Sequence, residues 1–204
     1  MISADRRWIF VHIQKTGGSA VRAALGVEID DPHKHFLARE LRVLYGDAAW
    51  QGCFKFAFVR NPWDRLVSWW SMINANRTAL SNGMPLNRFH RFVLQRATTF
   101  EEFLLSCDEE VVEDDGCKWI YRNQLEYLTD STGKLLVDFV GRFETLEQDF
   151  ASVAQRIPLS PTQLPHVNRS HHGQYVEYYT PALAQKVGLR YRRDIETFGY
   201  VFGK

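Results

Sequence analysis

The amino-acid sequence predicts an α/β domain built on a parallel sheet. Three short runs rich in β-branched and aromatic residues, 8–13 (WIFVHI), 54–59 (FKFAFV) and 136–143 (LVDFVGRF), read as buried strands. A segment of helical periodicity follows each, and alternating short strands and helices favour crossover connections and parallel pairing. The length of 204 residues predicts one domain spanning 1–204, with core enough to fold without staples.

The first strand runs into the turn QKTGGS and then a helix over 18–25. An Asp-Pro pair and His33 and His35 make the next turn, and LARELRVLYG reads as a helix closed by Gly46. After the second strand, Asn61 stands at an N-cap and Pro62 at the first helical position, where its missing N–H costs nothing. Trp63, Leu66, Val67 and Trp70 fall on one apolar stripe of that helix. Residues 75–95 are polar, with Asn82-Gly83 and Pro85, and read as a long loop. Thr99 and Glu102 have capping-box spacing at the head of TFEEFLLSC. Residues 108–118 read as a loop and 119–128 as a helix. ETLEQDFASVAQRI is the helix after the third strand, ended by Pro158, and 158–176 is a long loop rich in Pro, His, Asn and Ser. Thr180 and Pro181 open a last helical segment, TPALAQKVGLRYRRDIETFGY.

Composition narrows the function. Apolar residues make up 45% and charged residues 24%, an ordinary globular mix. The 25 basic and 24 acidic residues nearly cancel, so no bulk electrostatic footprint for nucleic acid exists and no nucleic-acid partner is expected. No apolar run reaches the length of a membrane span, and the N-terminus lacks the apolar core of a signal peptide, so a cytoplasmic location is the expectation. Cys53, Cys107 and Cys117 read as reduced thiols, with a Cys107–Cys117 bridge as the alternative. No zinc-ligand spacing occurs and no metal is expected. Oligomeric state is not legible.

Two strand–turn–helix junctions carry the chemistry. In the first, Lys15, Thr16, Gly17, Gly18, Ser19 and Ala20 form a turn whose glycines let backbone N–H groups approach an anion, at a helix N-terminus with partial positive charge. Lys15 adds a full charge, and Thr16 and Ser19 add hydroxyls. A nucleotide-hydrolysing P-loop places its lysine after the glycines; here it precedes them, which argues against ATP chemistry. In the second, FAFVRNPWDRLVS, Arg60 ends the strand, and Ser68 lies about 9 Å along the helix from Pro62 at roughly 1.5 Å per residue. The guanidinium fork suits a phosphate, and a serine is a neutral donor; the alternative has Arg60 paired with Asp64 and Ser68 on plain helix surface. Two anion-shaped turns at the C-terminal ends of neighbouring parallel strands suggest a nucleotide with phosphates at two positions.

These residues resemble the sulfotransferase family. FVHIQKTGGSAV resembles its 5′-phosphosulfate loop, commonly H-I-P-K-T-G-G-T-S, and FAFVRNPWDRLVS resembles its 3′-phosphate motif, with Arg and Ser eight apart. VGRFETLEQDF and the closing YYTPALAQKV to YRRDIETFGYVF also look like the branch that includes glycosaminoglycan O-sulfotransferases and small cytosolic relatives. Gln14, Ser19 and Ala20 depart from the motif's proline, threonine and serine, and Ala20 loses a hydroxyl.

The resemblance implies a P-loop-like three-layer sandwich with a central parallel sheet flanked by helices. It also implies 3′-phosphoadenosine 5′-phosphosulfate as donor and an acceptor hydroxyl, taken as that of a carbohydrate. Lys15 would meet the 5′-phosphate and the bridging oxygen, Gly17, Gly18 and Ser19 would cradle that phosphate, and Arg60 and Ser68 would hold the 3′-phosphate. Asn168, Arg169 and Ser170, in the late loop, would touch adenine or phosphate. Related enzymes use a histidine after the first helix as the base; His35 is the first choice here and His33 the second. Glu40 is a weaker candidate for the base and reads rather as a helix-face charge pairing Arg39 or Arg42, and His12 reads as a packed core histidine able to orient the loop. Gln124 is a further polar candidate. His166, His171 and His172 read as a solvated loop, and Trp119, Tyr121 and Tyr127 as core, or as the wall of an acceptor cleft. A phosphoryl-transfer enzyme and a non-catalytic donor-binding relative are the competing readings.

Overall fold

The computed structural model describes residues 1–204 apart from Ala4, Arg6, 28–30, Asp115, 158–163 and 165–172. Chain order begins β1 (Trp8–Val11), α1 (Gly18–Leu25), α2 (Ala38–Tyr45), α3 (Asp47–Gly52), β2 (Phe54–Val59) and α4 (Pro62–Asn74). It continues through α5 (Arg77–Ser81), α6 (Arg88–Arg96), α7 (Phe100–Ser106), β3 (Val111–Glu113), β4 (Gly116–Lys118) and α8 (Gln124–Leu128). The last elements are β5 (Phe139–Arg142), a 3₁₀ turn over Phe143–Thr145, α9 (Leu146–Ala154), a second over Tyr175–Tyr178, α10 (Pro181–Arg190) and α11 (Arg192–Phe198).

The chain forms two compact units, Met1–Arg60 with Gln124–Arg169, and Asn61–Asn123 with Ser170–Lys204. The first is built on a parallel sheet of order β1-β2-β5, in which Phe10 pairs with Phe56 and Phe56 with Phe139. Side chains alternate across a strand, so Trp8 and Phe10 of β1 and Phe56 and Phe58 of β2 share one face. That face packs with Val21, Ala24 and Leu25 of α1 and Phe150 and Val153 of α9. The rings of Phe10 and Phe56 stack at 5.1 Å, and Phe58 meets Phe56 edge-on. Each such buried side chain contributes about 2–3 kcal/mol, enough to fix the register of strands this short.

In the second unit α4 starts where its caps direct. The Asn61 side chain accepts from the N–H groups of Trp63 and Asp64, with Pro62 at the first helical position. Trp63, Leu66, Val67 and Trp70 are all buried. The Trp63 indole donates to Ala184 O at 2.9 Å and Tyr179 Oη donates to Trp63 O at 2.9 Å, tying α4 to the C-terminal segment. The Thr99–Glu102 capping box forms as read.

Several connections differ from the reading of the sequence. The polar stretch 75–95 holds α5 and α6; Asn87 caps α6 by accepting from His90 N, and Phe89, Val93 and Leu94 bury a narrow face that the surrounding arginines disguise. Residues 108–118 contain the antiparallel β3–β4 pair, closed by a Lys118–Glu113 ion pair at 2.5 Å. The helix expected over 119–128 is confined to Gln124–Leu128, and the C-terminal segment breaks into α10 and α11 at Tyr191, whose hydroxyl donates to the Ile120 carbonyl. No disulfide joins Cys53, Cys107 and Cys117, so the Cys107–Cys117 alternative does not hold. Among the described residues no helix is long and apolar enough to cross a membrane.

Candidate active site

The parallel pairing of β1 with β2 brings the ends of both strands to one edge of the sheet, and the two turns meet there directly. Arg60 Nη1 donates to the Lys15 carbonyl at 3.3 Å. Arg60 is 4% exposed, and its guanidinium lies over the Phe143 ring at 3.9 Å.

The first turn is held in an unusual backbone. Lys15 has φ of 67° and is the one non-glycine residue with positive φ among those described. Such strain, about 1–2 kcal/mol for a side chain of this kind, persists only where the surroundings over-determine it. Gly17, with φ of 84°, is the N-cap of α1. Gly17 offers no side-chain cap and the first turn carries no acid; Ala20 N bonds back to Gly17 O at 3.0 Å, while helix geometry gives the N–H groups ahead of it no intrahelical acceptor. Gly18 is fixed by crowding: a Cβ there would sit 1.9 Å from His12 Nε2. The Thr16 hydroxyl donates to Ile13 O at 2.9 Å and is fully buried, which directs it into the turn itself. Gln14, in place of the motif's proline, accepts through Oε1 from the Tyr127 hydroxyl. Ser19 is partly exposed and Ala20 buried.

Electrostatically the site is a concentrated cation. Burial, and then the nearby Arg60 charge, bring Lys15 down to about 8 from the ordinary lysine value. An anion between Lys15 and Arg60 would relieve both effects. The described residues therefore fit a phosphate at the first turn: a helix N-terminus without a side-chain cap and two nearby cations.

The histidines are grouped behind this turn. His12 is buried between Phe10, stacked at 5.4 Å, and His35, 4.7 Å away. Burial, reinforced by the His35 and Arg22 charges, holds it well below the usual histidine range, so it stays neutral. His35 Nδ1 lies 3.3 Å from the His12 carbonyl. A carbonyl only accepts, so Nδ1 carries the proton in the neutral ring and Nε2 carries the lone pair. His33 instead turns to Asp31, with Nδ1 3.5 Å from Oδ1, and packs edge-on against Phe36. Glu40 accepts from Leu37 N at 2.8 Å and so caps α2, a role the helix-face reading overlooked.

Other candidates divide cleanly. Gln124 is fully buried and joins the Arg60 backbone, which no periodicity in the sequence announced. Tyr121 and Tyr127 are buried, and the Tyr121 hydroxyl donates to Leu104 O at 2.6 Å; the Trp119 indole donates to Asp108 at 2.9 Å. Ser68, on α4 in the second unit, is 3% exposed rather than on the helix surface. Asn168, Arg169, Ser170, His166, His171 and His172 lie outside the described residues.

No curated protein sequence matches this chain. Among solved structures, the crystal structure of mouse sulfotransferase SULT7A1 complexed with PAP is similar, with a TM-score of 0.53 at 14% identity over 95% of this chain and 85% of that one. That likeness supports the P-loop-like α/β architecture, a central parallel sheet flanked by helices. The model of the sulfotransferase family matches residues 1–201, nearly the whole sequence. The chain belongs to the sulfotransferase family.

Proposed function

We propose that this protein transfers a sulfuryl group from 3′-phosphoadenosine 5′-phosphosulfate to an acceptor hydroxyl, that of a carbohydrate. The observation that carries the reading is the joined pair of anion turns, with Arg60 donating to the Lys15 carbonyl at the mouth of an uncapped α1. The donor supplies the sulfuryl group and a phosphate leaving group. Lys15 contributes charge where negative charge gathers on the departing bridging oxygen, in a turn already organised for it. The N–H groups of Gly17, Gly18 and Ser19 bind the 5′-phosphate; Thr16 shapes the turn through its bond to Ile13. Arg60 and Ser68 bind the 3′-phosphate, and Asn168, Arg169 and Ser170 complete the donor contacts; for Ser68 and these three the support is the motif resemblance alone.

His35 is the base. Its Nδ1–H is directed at the His12 carbonyl, the tautomer that puts the basic lone pair on Nε2, and that nitrogen takes the acceptor's proton as the hydroxyl oxygen attacks sulfur and the bond from sulfur to the bridging oxygen breaks. His33, turned toward Asp31, is the second candidate. The near-zero net charge favours a small acceptor over a long polyanion.

Thermal unfolding with added nucleotide tests the donor. 3′-Phosphoadenosine 5′-phosphate (PAP) should stabilise the protein far more than ATP with Mg²⁺, and equal shifts, or none, would sink this reading. The base is tested by His35→Ala, which should remove transfer and leave PAP affinity unchanged; transfer at the wild-type rate would exclude His35.

A further inference from the structure

We propose that α8 is the element that sets the geometry of both anion turns, with Gln124 and Tyr127 as positioning residues. The inference rests on the donor reading above. β2 pairs with β5 only as far as Val59 opposite Arg142, and with β1 only as far as Ala57 opposite Val11, so Arg60 lies beyond both ladders. The Gln124 side chain holds its backbone at both N–H and C=O. Gln124 Oε1 accepts from Arg60 N at 2.8 Å and Gln124 Nε2 donates to Arg60 O at 2.8 Å. This two-point contact is what a neighbouring strand would provide, delivered by a planar amide.

Three residues along, on the same face of the helix, the Tyr127 hydroxyl donates to Gln14 Oε1 in the other turn. Gln14 directly precedes Lys15, the residue held at a φ of 67°. The Arg60 guanidinium then returns to the Lys15 carbonyl. The contacts form a closed ring: α8 to Gln14, along the chain to Lys15, across to Arg60, and back to α8. Gln124 and Tyr127 are fully buried and Gln14 is 4% exposed, so water is a poor substitute for any lost partner. Neither Gln124 nor Tyr127 needs to touch the donor. Together they hold the spacing between its two principal cations, and they over-determine the strained lysine.

Calorimetric titration with PAP, alongside steady-state transfer, tests this on wild-type protein, Tyr127→Phe and Gln124→Met. Tyr127→Phe keeps the ring and its packing, and serves if Gln124→Met does not fold. Tyr127→Phe should bind PAP about tenfold more weakly, which corresponds to about 1.4 kcal/mol, the size of one buried neutral hydrogen bond, and folded Gln124→Met, which loses two such bonds, at least as weakly. The KM for donor should rise while the KM for acceptor stays. Gln14→Met combined with Tyr127→Phe should be no weaker than the worse single variant, because both act through one bond. Wild-type protein that fails to bind PAP overturns the donor reading and this inference with it. Wild-type protein that binds PAP, with Tyr127→Phe binding equally well whatever its melting temperature, overturns the positioning role alone.

Discussion

Lys15 concentrates the conflict between stability and function. Its ammonium is taken out of water beside another cation, in a backbone conformation that lysine rarely adopts. Its folded-state value of about 8 lies below the ordinary 10.5, so the unfolded chain holds the proton more tightly. Between those values the unfolded state binds more protons and stability rises with pH; below about 8 the buried charge opposes folding. Lys15→Met should therefore melt at a higher temperature than wild type at pH 7 while losing PAP binding. Anion binding by the wild type needs the charged form, so PAP affinity should fall about tenfold from pH 7 to pH 9, where roughly one residue in ten of this lysine keeps its proton. Calorimetry at both values checks this, and equal affinities would show that the charge is not used. Gly18 supplies a second residue-scale prediction. Gly18→Ala drives a methyl into His12, and overpacking of this kind costs about 1–3 kcal/mol. Chemical denaturation should show that loss, and His12→Ala in the same chain should return part of it by vacating the space.

The elements owe their positions to short signals at their ends. α4 is the clearest: Asn61 caps it, Pro62 opens it, and the same Asn61 amide donates to Tyr175 Oη at 3.2 Å. Asn61→Ala should cost about 1–2 kcal/mol in denaturant unfolding, and Asn61→Asp less, since a carboxylate still accepts from Trp63 and Asp64 but no longer donates to Tyr175. A loss as large with Asp as with Ala would place the whole effect in the donated bonds. α6 carries an end signal that its composition masks. Asn87 is a cap, and Phe89 and Val93 are one turn apart, yet His90 and Arg91 between them, with Arg88 and Arg96 on either side, give the segment the look of a loop. Residues 119–128 look like one helix, longer than α8, for the opposite reason: Trp119, Ile120 and Tyr121 are apolar, but they serve tertiary packing and side-chain hydrogen bonds.

At the scale of the whole molecule, two compact units each carry their own elements, and the chain passes between them at Arg60–Asn61, at Asn123–Gln124 and at Arg169–Ser170. Membership of the sulfotransferase family spans both, since the matched residues run from 1 to 201. Ligand linkage reads the molecule as one system. PAP at a hundred times its dissociation constant should add about 2.7 kcal/mol. At roughly 2–4 °C per kcal/mol for a chain of this size, the melting temperature should rise by about 5–10 °C. ATP with Mg²⁺ at the same concentration should move it by less than about 2 °C.

By itself the sequence determined the three strands of the parallel sheet, the α/β class, the caps at Asn61, Thr99 and Thr180, and the two turns around Lys15 and Arg60. Each of these is a local pattern: alternation or a buried apolar run, a capping side chain, a glycine pair beside a cation. Only the tertiary structure decided what those turns are fastened to. Gln124 lies 64 residues from Arg60 and Tyr127 lies 113 from Gln14, and their polar side chains are buried because they meet there. It also decided that Thr16 faces Ile13, that Glu40 caps α2, and that His35 and His33 turn to different partners. A hydrogen bond between residues distant in sequence leaves no periodicity behind, because its cause is the packing that brings them together.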